Sequence, residues 1–166
     1  MATTYTLISS TVLGSNSAGI TLSSIPQTYT DLVLRMNVRS PDSGTNIEFI
    51  EIQFNGNGSF TSRRIYSDGS TINQVSAGNQ IYPATIGSNA AANYFAPVEL
   101  YVGNYSQASS TIYSHTTDSA LANFTGQPGY NGLRWNTLGS VNSIYLYSYF
   151  NFAAGSSFYL YGISKS

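Results

Sequence analysis

Apolar and polar residues alternate along most of this chain. Residues 31–39 set Leu32, Leu34, Met36 and Val38 on one side and Val33, Arg35, Asn37 and Arg39 on the other. That period of two predicts a half-buried strand with its arginines as surface charges. Residues 97–102 repeat the pattern, with Val98, Leu100 and Val102 inward and Glu99 and Tyr101 outward. Residues 144–150 oppose Ile144, Leu146 and Ser148 to Tyr145, Tyr147 and Tyr149, and residues 158–163 oppose Phe158 and Leu160 to Tyr159 and Tyr161. Weaker strand signals cover residues 5–9, 20–23, 63–66, 111–116 and 133–137. In residues 47–54 the phase breaks: Ile47 and Phe49 share one side, Ile50, Ile52 and Phe54 the other. Either both faces are covered there, or a bulge at Phe49-Ile50 resets the register.

No window carries the i, i+3, i+4, i+7 stripe of a helix, and the best candidate, residues 89–95, is short. Residues 80–96 read as a long loop. Asn55-Gly56-Asn57-Gly58, Asp68-Gly69, Gly78-Asn79, Pro128-Gly129 and Asn131-Gly132 supply turn chemistry between the strands. Short strands punctuated in this way predict an all-β fold, a single jelly-roll-like β-sandwich domain over residues 1–166.

Composition narrows the chemistry. Only 8% of residues are charged, against about 25% in a typical soluble domain. Ser, Thr, Asn, Gln and Gly supply the polarity instead. No apolar run of about 18 residues is present, so no membrane-inserted helix is expected. With 6 Lys+Arg and a net charge of −1, the chain lacks the basic footprint of a nucleic-acid binder. The absence of Cys excludes disulfides, thiolate metal sites and Cys nucleophiles. The N-terminal residues show no signal-peptide pattern, so synthesis in a cytoplasm is expected.

Candidate catalytic residues are sparse. His115 is the single histidine, and Asp118 follows it, but no G-x-S-x-G elbow completes a triad. Glu48 and Glu51 are the closest glutamate pair; their odd spacing puts them on opposite faces of a regular strand, and only a bulge would unite them for glycoside hydrolysis. The loops at residues 55–59 and 68–70 lack the acid density of a calcium loop. No metal, cofactor or catalytic group is expected. Three N-x-S/T sequons, at Asn57, Asn104 and Asn123, carry no weight without an export signal. The tyrosines stand out more. Tyr145, Tyr147 and Tyr149 form one stripe and Tyr159 and Tyr161 another, which would merge into one aromatic patch if their strands were neighbours. Such a patch suits a protein interface or the stacking of a glycan, with Tyr113 and His115 as flanking candidates.

Several segments resemble a module common in marine and cyanobacterial tailed phages. They are Tyr5-Thr6-Leu7-Ile8, Ile25-Pro26-Gln27-Thr28-Tyr29-Thr30-Asp31-Leu32-Val33-Leu34, Ile52-Gln53-Phe54-Asn55-Gly56 and Phe158-Tyr159-Leu160-Tyr161-Gly162-Ile163. Their order holds nearly from end to end. The resemblance implies a jelly-roll-like virion structural protein with no catalytic residues attached. The leading expectation is a capsid decoration or cement protein on the outer surface of the head, binding the major capsid protein. The alternative is a tail or fibre component with a receptor-binding tip for a host surface glycan, and the remote one is a glycan hydrolase. The aromatic stripes and near-zero net charge lead to a homo-oligomer, and virion-surface jelly rolls imply a trimer.

Overall fold

The computed structural model describes residues 4–42, 44, 47–67, 70–76, 78–107, 111–116 and 129–164, with the backbone alone at 82–84, 111–116 and 129. Among these residues the chain forms twelve strands and no helix. They are β1 (Tyr5–Val12), β2 (Ser17–Leu22), β3 (Asp31–Val38), β4 (Ile47–Phe54), β5 (Phe60–Ser67), β6 (Ile72–Val75), β7 (Gln80–Ile86), β8 (Ala96–Gly103), β9 (Thr111–Thr116), β10 (Gly129–Trp135), β11 (Ile144–Phe152) and β12 (Ser157–Ile163). The all-β sandwich expected from the alternation is the fold the protein adopts.

Two antiparallel sheets build it. The larger runs β1-β12-β3-β8-β9-β10-β5-β6 and the smaller β2-β11-β4-β7. Eight of the strands form a jelly roll. β1, β12, β3 and β8 make one half, and β2, β11, β4 and β7 the other, with the chain passing between the halves as it winds. The remaining four strands extend the larger sheet beyond β8. β5 and β6 leave the β4–β7 hairpin to reach that extension, and β9 and β10 reach it between β8 and β11.

The core lies between the sheets. Leu32, Leu34, Met36 and Val38 of β3 face Ile50, Ile52 and Phe54 of β4 and Ile144 and Leu146 of β11, all but closed to solvent. Phe54 packs edge-on against Phe60 and Trp135, and Phe152 against Phe158. Tyr105, fully buried, closes one end; its hydroxyl donates to the Pro26 carbonyl while its own carbonyl accepts from Val141 N–H.

Two expectations change, and one alternative resolves. The segment read as a loop contains β7, whose alternation is interrupted by residues 82–84. The phase break in residues 47–54 is not a bulge in β4, whose residues alternate in burial throughout. The offset lies in β7, where three residues stand opposite Phe49 alone. Glu48 takes an inward position on β4 and is buried, so Glu48 and Glu51 point to opposite faces. Finally, β11 and β12 belong to different sheets, so the two tyrosine stripes do not merge. A jelly roll sends consecutive strands to opposite sheets, and each stripe therefore faces outward on its own side of the sandwich.

Candidate functional site

Strand register sets two rows of positions across the larger sheet, described side chains of which line its outer face. One row runs Leu7, Tyr161, Val33, Tyr101, with Tyr113 at the next register position. The second runs Ser10, Tyr159, Arg35, Glu99, then His115, Tyr130, Ile65 and Gln74. Seven strand spacings make this face about 34 Å wide. Tyr113 and His115 thus lie in the sheet that holds Tyr159 and Tyr161; their side chains lie outside the described residues, as does Asp118.

This face is aromatic and half exposed. Tyr5 is 47% exposed, Leu7 52%, Ile65 52% and Tyr130 60%. Val33 is an exception at 2%, because it sits in register between Tyr161 and Tyr101. Arg35 organises the centre. Its Nε donates to the Glu99 carboxylate at 2.8 Å, and its guanidinium lies 5.8 Å from the Tyr5 ring and 6.0 Å from the Tyr161 ring. The exposed ion pair adds little stability, about 0–1 kcal/mol. Its effect is geometric, since it holds one cation against two rings that also meet edge to face at 6.4 Å. Within the same face, partial burial and a hydrogen bond to Asp31 push the Tyr101 phenol up to about 12.

The outer face of the smaller sheet is different. Tyr145 and Tyr147 stack with centroids 5.2 Å apart and planes 14° from parallel. Tyr145 rests on bare backbone: a Cβ on Gly19 would stand 2.8 Å from its ring and its hydroxyl. Across the sheet, Tyr145 pairs with Gln53, Tyr147 with Glu51, and Glu51 with Gln80. Gln80 Nε2 donates to Glu51 at 3.2 Å, and Asn79 Nδ2 donates to the Ile52 carbonyl at 3.3 Å and to the Tyr147 hydroxyl at 3.5 Å. Burial first, and the hydrogen bond to Glu51 second, hold the Tyr147 phenol above its usual pKa. Farther along β11, Tyr149 meets Phe49 edge to face at 6.3 Å and is 76% exposed.

The loops read for calcium resolve in one case. Asn55 takes a positive φ of 51° and Gly56 one of 75°, as an Asn-Gly turn requires. The Asn55 side-chain oxygen accepts from the N–H groups of Asn142 and Ser143, and its nitrogen donates to the Ser140 carbonyl. That side chain fastens two loops together. Asp68 and Gly69 lie outside the described residues. Among the described residues no three His, Asp or Glu side chains gather as a metal site.

Alternation along β3 and β8 places Arg35, Glu99 and Tyr101 outward but does not bring them beside Tyr161, nor Glu51 and Gln53 beside Tyr145 and Tyr147. Alternation reports which face a residue takes within its strand. It carries no information about which strand lies alongside.

No protein-family model matches the chain, and no curated protein does. Among solved structures it is similar to toad ovary galectin in complex with thio-digalactose, at 11% identity over 76% of this chain and 98% of that one, with a TM-score of 0.29. It is also similar to SCP-B, a member of the eqolisin peptidases bound to the tripeptide Ala-Ile-His, at 12% identity over 90% of this chain, with a TM-score of 0.27. This chain spans 64% of that peptidase's length. A third likeness is to a protein of unknown function, SO2946 from Shewanella oneidensis MR-1, at 11% identity over 98% of this chain and 77% of the other, with a TM-score of 0.24. At these scores the likenesses carry no argument about function.

Proposed function

We propose that this protein is a non-enzymatic structural subunit of a tailed-phage particle, a decoration or cement protein that docks on the outer surface of the head. The observation that carries the reading is the outer face of the eight-stranded sheet. It is wide, rich in tyrosine, and carries one central ion pair whose cation braces two of the rings. Protein interfaces favour aromatic residues and Arg. Rings held in place before contact lose less entropy on binding. The resemblance of the chain to phage virion modules supplies the partner, the major capsid protein. Self-association into a trimer would place three such faces around one axis.

Binding of purified protein to heads that lack it tests the reading. The unaltered protein should sediment with the heads. Tyr161→Ser with Tyr101→Ser should lose that binding while keeping the same far-ultraviolet circular dichroism. Binding undiminished in the double variant would show that this face is not the dock.

A further inference from the structure

We propose that the outer face of the smaller sheet is a binding site for a neutral oligosaccharide, with Tyr145 and Tyr147 as its platform and Glu51, Gln53 and Asn79 as its hydrogen-bonding edge. A pyranose presents two chemistries at once, a face of C–H groups and a rim of hydroxyls that both donate and accept. The ring pair answers the first. Its two tyrosines are stacked at 5.2 Å, and Tyr145 is seated on Gly19, where any side chain would displace it. The edge answers the second. A carboxylate has about four acceptor positions, and Glu51 has Gln80 and the Tyr147 hydroxyl as donors, which leaves acceptor capacity at a fixed place. Gln53 stands opposite Tyr145 and hydrogen-bonds the Tyr147 hydroxyl, which leaves its amide one further donor and its acceptor oxygen beside the rings. Asn79 steadies the Tyr147 hydroxyl from the other side.

Charge selects the class of ligand. The four strands of this sheet contain no Lys or Arg, and Glu51 adds a negative charge to the outer face. A sulfated, phosphorylated or uronic polymer would meet no Lys or Arg on these strands, so the face fits a neutral glycan. The Phe49–Tyr149 ring pair lies on the same two strands. Tyr149 is four residues beyond Tyr145, about 13 Å along the strand. That second aromatic position suits a chain of sugars over a single one. The site lies opposite the face proposed to dock on the head. It stands on its own residues, and a docked subunit would turn it outward.

Saturation-transfer difference NMR with maltohexaose, cellohexaose, mannohexaose and galactohexaose, each at millimolar concentration, tests the proposal. At least one should receive saturation at its ring C–H protons. Tyr145→Ala should weaken that ligand about tenfold, a loss of roughly one aromatic contact. Gln53→Ala, which keeps both rings and removes an amide from the edge, should weaken it without changing the fold by circular dichroism. Tyr161→Ser, on the opposite face, should leave binding unchanged, which separates this site from the docking face. Saturation of none of the four overturns the proposal. So does binding that survives both Tyr145→Ala and Gln53→Ala, or a heparin hexasaccharide binding more tightly than any neutral probe.

Discussion

Single residues divide into those the core holds and those that hold something else. Leu34 is closed to solvent, and Leu34→Ala should cost about 2–5 kcal/mol in denaturant melts. Arg35 faces outward in an exposed ion pair, and Arg35→Ala should stay within about 1 kcal/mol. Arg39, expected as a second plain surface charge, is not one. Its guanidinium donates to the carbonyls of Ser88, Ala90, Ala91 and Tyr94 at 2.8–3.3 Å, gathering the loop between β7 and β8. Arg39→Ala should therefore destabilise more than Arg35→Ala in the same melts. Alternation along β3 could not reveal this, because those acceptors come from a loop about fifty residues away. Tyrosine ionisation gives a further check. Tyr101, Tyr105 and Tyr147 all have phenols held above the ordinary value, chiefly by burial. Their protonated forms are favoured in the folded state, so this contribution is intact below about pH 10 and is lost as pH rises toward 12. Denaturant midpoints should fall on that alkaline side, and a midpoint that held steady to about pH 11 would count against the buried phenols.

Among the elements, the strongest strands were legible and their partners were not. β3 and β8 read clearly because one face of each is core and the other, Val33 apart, is open or half open to solvent. β7 was lost to residues 82–84, which break its period, and β6 is only four residues long and largely exposed, so neither leaves a usable pattern. The tyrosine stripes were legible as stripes. Their separation onto two faces follows from the winding of the jelly roll, which no local window contains. The Asn-Gly turn after β4 was legible too, but its side chain does more than permit a positive φ. Asn55→Gly keeps the backbone conformation and removes three side-chain hydrogen bonds to the loop before β11, and should cost about 1–3 kcal/mol. Dialysis against a chelator should leave the melting temperature unchanged, because the Asn55 oxygen already accepts two N–H groups. A large fall would indicate a bound cation.

For the whole molecule, the sandwich separates two chemistries by its thickness. One outer face is wide and braced by a cation among rings; the other is narrower, free of Lys and Arg along its strands, and edged with amides. The proposed trimer should appear in multi-angle light scattering at three times the single-chain mass, and the single-chain mass at micromolar concentration would refute self-association in solution. The proposed role depends most on the larger face meeting a capsid. A density map of the tailed-phage particle proposed to carry this chain tests that directly. The sandwich should lie on the outside of the head, with Tyr101, Tyr161 and Arg35 turned toward the major capsid protein and the smaller sheet turned to solvent. A particle without this chain, or one that holds it by the smaller sheet, would contradict the proposed role.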